Sequence, residues 1–137
     1  MIPIRVVSGL PLVSVTLRHG GGSVTLDRFL MDTGSAGTLV RSDLVEQIGL
    51  IAELNDPIDR IRGVGGSEFV VTKRVESITV GSLAVTNHAI ELGVLEYGFE
   101  LHGISGRDFL SRSEAQIDLQ SMRISRADEG NLAPGKG

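Results

Sequence analysis

Apolar residues in this chain come in short runs broken by polar or glycine positions, and several runs alternate with a period of two. That pattern belongs to strands rather than to helices. Leu12-Val13-Ser14-Val15-Thr16-Leu17 reads as one strand, His19-Gly20-Gly21-Gly22-Ser23 as a turn, and Val24 to Met31 as the returning strand. Thr38-Leu39-Val40 resumes the apolar pattern. Ser42 to Gly49 then reads as a short helix, with Ser42 as its cap, Asp43 in its first turn and Gly49 ending it. Residues 51–59 form a polar loop around Asn55-Asp56-Pro57. Arg60 to Val75 reads as a long hairpin tipped by Gly63-Val64-Gly65-Gly66, and Ser77–Val80 and Leu83–Thr86 flank a Gly81-Ser82 turn of the type II′ kind. After a loop over 93–103 come a short helix near 107–113 and a last hairpin from Ala115–Leu119 and Met122–Ser125.

A mostly β protein with tight turns agrees with eighteen Gly and many Val, Ile and Thr. At 137 residues the chain suits one domain, assigned here to residues 1–126. The small, polar, Gly- and Pro-bearing stretch 127–137 reads as a disordered tail. A net charge of −4 gives no basic footprint, so nucleic acid is not expected as a partner. With no Cys, disulfides, thiolate metal sites and cysteine nucleophiles drop out. Apolar runs fall far short of the about 18 residues that span a bilayer, so no membrane segment is expected. Arg5, Ser8 and Gly9 break the apolar start, which therefore reads as structure rather than as a leader. A cytoplasmic location is favoured on that ground.

Several chemistries fail on inspection. Neither Ser35 nor Ser105 sits in G-x-S-x-G, and Gly63-Val64-Gly65 is followed at position 68 by Glu where a dinucleotide fingerprint needs Gly. No phosphate loop occurs. His19, His88 and His102 lack metal-ligand spacing and read as solvated or hydrogen-bonded, so no metal or other cofactor is expected. What stands out is Asp32, placed directly after the apolar Phe29-Leu30-Met31 and before Thr33-Gly34-Ser35. A charge at the end of a buried strand is costly unless it is paired or used. Two carboxylates forced together hold one proton between them, so one can deprotonate water while the other serves the scissile carbonyl. Such a pair needs two aspartates, each presented by a tight turn, and only one Asp-Thr-Gly exists here.

Met31-Asp32-Thr33-Gly34-Ser35 resembles the active-site loop of aspartic proteases, and the order of further features resembles their retropepsin-like branch. Pro11–Val15 resembles the strand leading to that loop. Gly63-Val64-Gly65-Gly66 resembles the flap tip, and Gly103-Ile104-Ser105-Gly106-Arg107-Asp108-Phe109-Leu110 resembles the segment crossing beneath the loop before a short helix. The resemblance covers roughly residues 9–125. It implies a closed β-barrel of the acid protease fold, a homodimer with one aspartate from each subunit, and a peptide or protein substrate.

The resemblance also implies roles. Asp32 would be half of the dyad, Thr33 would bond across the two-fold axis, and Gly34 would allow close backbone approach. Ser35 would donate to an Asp32 oxygen, with Arg107 and Asp108 as supporting residues. Ala36 and Gly37 would line the cleft, and Gly63, Val64, Gly65 and Gly66 would close over the peptide. Retroviral members carry an acidic residue at the position of Ala36, paired with the arginine of the crossing segment, so Arg107 needs another partner. Ser105 stands where an aliphatic residue is usual. A plain turn at 63–66 and an ion pair between Arg107 and Asp108 are the competing structural readings. An aspartic endopeptidase is the expected function; the alternative is a catalytically silent peptide-binding or dimerisation module of the same fold.

Overall fold

The structure is a computed structural model that describes residues 1–63, 66–95 and 100–130. In chain order the strands are β1 (Ile2–Pro3), β2 (Arg5–Val7), β3 (Leu10–His19), β4 (Gly22–Met31), β5 (Leu39–Arg41), β6 (Ile58–Gly63), β7 (Gly66–Val80), β8 (Leu83–Gly93), β9 (Gly103–Ser105), β10 (Ala115–Asp118) and β11 (Arg123–Arg126). Among the described residues two helices, α1 (Arg107–Arg112) and α2 (Ala127–Gly130), complete the set, with 3-10 turns at Ser42–Leu44 and Glu46–Ile48.

Turn chemistry sets the hairpins. The β3–β4 connection puts Gly20 and Gly21 at φ of 58° and 80°, which side chains with a Cβ resist. At the β7–β8 turn Gly81 has φ 58° while Val80 pairs with Leu83, matching the glycine-first turn expected at Gly81-Ser82. The β6–β7 hairpin is closed by a Gly63–Gly66 pair. Val64 and Gly65 of its expected tip lie outside the described residues.

The main sheet runs β2-β3-β4-β9-β5-β8-β7-β6, and β3 also pairs with β7. That extra pairing (Thr16–Thr79, Leu17–Ile78, Arg18–Ser77) closes β3, β4, β9, β5, β8 and β7 into a six-strand barrel. The fold is thus mostly β and of the acid protease type, as expected. A separate sheet, β1-β11-β10, ties residues near the N-terminus to the last hairpin.

Two apolar clusters form. The larger gathers Val13, Val15, Leu17, Phe29, Ile78, Ile90 and Phe109 among others, and the smaller holds Leu12, Leu39, Val70, Leu95, Leu101 and Ile104. A bulge in β3 shifts the register between Val13 and Val15. Adjacent Leu12 and Val13 are both buried, in different clusters, so the strand is covered on both faces there. This explains why its alternation is incomplete in the sequence.

The helix expected over residues 42–48 is instead the two 3-10 turns. Val45 between them leaves helical dihedrals (φ −117°, ψ 5°) and is fully buried in the larger cluster. Ser42 gives no side-chain cap, and Gly49 closes the second turn at φ 84°. The expected tail begins with α2; residues 131–137 lie outside the described residues. No helix among the described residues is long and apolar enough to cross a membrane.

Candidate active site

Strands β4 and β5 both flank β9, so the segment joining them, residues 32–38, loops over the end of β9. Phe29, Leu30 and Met31 pair in parallel with Gly103, Ile104 and Ser105. The ladder continues one step further, the Asp32 amide donating to the Ser105 carbonyl at 3.0 Å. Asp32 therefore leaves the barrel at a fixed height. Its side chain is partly exposed, and the Gly34 amide donates to its Oδ1 at 2.9 Å while the Ser35 amide donates to its carbonyl at 3.2 Å. The Gly34 bond fixes the direction of the carboxylate.

Beneath the loop runs Gly106, the link from β9 to α1. A Cβ there would collide with the Gly37 carbonyl oxygen, and would lie 2.6 Å from the Gly37 carbonyl carbon and 2.9 Å from the Ser35 oxygen. All three are backbone atoms, so only glycine passes. The first turn of α1 then holds the loop from below: the Arg107 amide donates to Ser35 O at 2.7 Å and the Asp108 amide to Ala36 O at 3.2 Å. At the far end of the loop the Glu91 amide donates to Thr38 O at 2.9 Å. The loop's carbonyls at 32, 35, 36 and 38 thus all accept backbone bonds.

The predicted site residues fall into three groups. Asp32, Thr33, Gly34, Ser35, Ala36 and Gly37 come together on the loop, with Thr33, Gly34 and Ala36 exposed. Gly63 and Gly66 lie on the β6–β7 hairpin; nothing described places them against Asp32. Arg107 and Asp108 lie under the loop at the start of α1.

Two supporting roles differ from expectation. The Ser35 hydroxyl donates to Gly37 O at 3.1 Å, bracing the loop instead of binding Asp32. Arg107 contributes its amide, while its exposed side chain has no hydrogen bond or ion pair to a described residue. Nor do Arg107 and Asp108 pair. Asp108 accepts instead from Thr38 Oγ1 at 2.8 Å, from its neighbour Phe109's amide at 2.7 Å, and from His88 Nε2 at 3.0 Å. Burial alone pushes the Asp108 carboxyl up, but the bonds from His88, Thr38 and the Phe109 amide outweigh it and hold the group below the usual carboxylate range.

His88 was expected to be solvated or hydrogen-bonded. It is 2% exposed, bonded to Asp108, and its Nδ1 lies 2.7 Å from Arg112 Nη1. The strand pattern hides this. Leu83 and Val85 face inward, which would turn His88 outward, but Asn87 at φ 51° reverses the phase, so His88, Ile90 and Leu92 are buried. Ser105, unusual in the resemblance, is buried with its hydroxyl lacking any hydrogen-bond partner among the described residues.

A closed barrel that presents one Asp-Thr-Gly loop braced from below by a Gly-Arg-Asp crossing segment is the architecture of a retropepsin-like aspartic protease domain. The family comparison agrees: the aspartyl protease model matches residues 13–109, from β3 through the start of α1. The chain belongs to this aspartyl protease family. A comparison with curated proteins gave no match.

Proposed function

We propose that the protein is an aspartic endopeptidase whose catalytic pair forms across a homodimer. The observation that carries this reading is Asp32 itself: a partly exposed carboxylate, oriented by the Gly34 amide, on a loop whose carbonyls are tied down. Such fixation suits a group that must act on substrate at a set position, because little reorganisation is left for the reaction.

The chemistry follows from pairing Asp32 with its symmetry mate. Two carboxylates about 3 Å apart cannot both ionise, so the pair carries one shared proton. The ionised member takes a proton from a water whose oxygen attacks the scissile carbonyl carbon. The protonated member hydrogen-bonds the carbonyl oxygen as it becomes tetrahedral, and proton delivery to the amine nitrogen lets the C–N bond break. Thr33, which is exposed, would bond across the axis, and Ala36 with Gly37 would line the cleft. The β6–β7 hairpin, with Gly63, Val64, Gly65 and Gly66 at its end, would act as the flap over an extended peptide bound by backbone hydrogen bonds.

The test is cleavage of a peptide library by wild type and by Asp32→Asn. An amide cannot accept the water proton, so the variant should fold normally, by circular dichroism and melting temperature, and lose at least about a hundredfold in rate. A folded Asp32→Asn protein that cleaves at the wild-type rate would remove Asp32 from the chemistry. A wild type that binds peptides without cutting them would favour the silent module.

A further inference from the structure

Asp32's loop is held by α1, and a buried histidine bonds both ends of α1, Asp108 at the loop end and Arg112 at the other. The ring of His88 has two partners of fixed polarity. Arg112 Nη1 can only donate, so Nδ1, 2.7 Å away, must accept. Asp108, an ionised acceptor, takes the Nε2 proton at 3.0 Å. A neutral ring with its proton on Nε2 satisfies both, and no other form does. Phe109 stands edge-on to the ring, with centroids 6.3 Å apart.

The other groups around the ring leave this assignment intact. From β7 the residue opposite His88 is apolar Val75. The neighbouring Arg74 guanidinium is bound to Asn87 O at 2.8 Å. On β8 itself Glu91 bears on Asp108 only as a nearby like charge. Thr38, across Asp108 from the ring, is neutral and donates to the same carboxylate.

We propose that His88 is a pH-responsive positioning residue, whose protonation releases Arg112 and thereby loosens the α1 clamp beneath the Asp32 loop. A second ring proton must go onto Nδ1, where it meets an Arg112 donor. A hydrogen bond then becomes a contact between two like-charged donors. Arg112 is left with Thr86 O, 3.4 Å from its Nη2, and swings away. The charged ring keeps Asp108, so with its C-terminal end freed α1 can pivot about that bond, and the Arg107 and Asp108 amides that grip Ser35 O and Ala36 O tilt with it. The acid limb of the pH–activity profile then belongs in part to His88, outside the catalytic pair. This functional half rests on the peptidase reading; the coupling of His88 to the loop does not.

His88→Gln is the deciding variant, because a glutamine side chain offers one N–H for Asp108 and one oxygen for Arg112 without titrating. The first measurement follows backbone amide resonances between about pH 8 and about pH 5, the range in which a histidine changes charge. In wild type the Arg107 and Asp108 amides should follow the titration of the His88 ring. In His88→Gln that component should vanish, and in Arg112→Gln the Arg107 amide, whose residue does not bond the ring, should lose it. Amide curves unchanged by both variants would overturn the proposal. The second measurement is peptide hydrolysis. His88→Gln should keep its neutral kcat within about threefold while its acid limb moves down by about one pH unit or more, with KM little changed; His88→Leu should lose about tenfold or more in kcat. Superimposed profiles for wild type and His88→Gln would show a merely structural histidine. Should no protein cleave any peptide, the peptidase reading falls and the amide titration alone decides the coupling.

Discussion

Beside Gly37 the Glu91 carboxylate lies where a Cβ would go, so a side chain there would require that carboxylate to move aside. Burial raises the Glu91 carboxyl above its ordinary range, and the nearby Asp59 and Asp108 charges raise it further. A raised acid contributes stability that is fully present below its unfolded value and is lost as pH rises through the folded value. Glu91→Gln should therefore raise the melting temperature at neutral pH, with the gain vanishing below the usual glutamate range. A neutral-pH loss of stability would mean that the carboxylate has a favourable partner. Residue roles were the least legible layer in the sequence. Asp32 declared itself through its neighbours, yet the Ser35 hydroxyl's choice of Gly37 O over Asp32 depends on a rotamer fixed only in the folded loop. Likewise His88 carries no motif, and its burial depends on the phase reversal at Asn87.

Elements transmit these local choices. Segment 103–112 does two tasks, since β9 completes the barrel between β4 and β5 while α1 braces the loop. Gly106 joins the two, and its backbone neighbours cannot yield as a side-chain tip would. Gly106→Ala should cost at least about 2 kcal/mol of stability by forcing those backbones apart. The displaced loop should also lose about a hundredfold in peptide hydrolysis, though Asp32 is untouched. Wild-type melting and activity in that variant would show that the loop does not depend on close packing over Gly106. Local rules gave the short helix, but the crossing under the loop came from the family resemblance, and β9 was not read as a strand. By contrast, the 42–48 stretch obeyed a tertiary demand: burying Val45 split an expected helix into two 3-10 turns.

On the scale of the whole molecule, the barrel closes through the β3–β7 pairing. Hairpin turns and strand alternation gave away the β class, but closure depends on pairings between strands distant in sequence, which no local pattern encodes. The family resemblance supplied that part, and the topology bears it out. One Asp-Thr-Gly per chain makes the proposed chemistry a property of two chains. The most direct measurement is specific activity over a wide dilution series, with sedimentation in the same buffer and a parallel series containing excess Asp32→Asn chains. Shared catalysis predicts that activity per milligram falls as dimers dissociate, and falls further when mixed dimers form with a single competent carboxylate. Activity strictly proportional to total protein through a demonstrated monomer range, and indifferent to the Asp32→Asn chains, would contradict it.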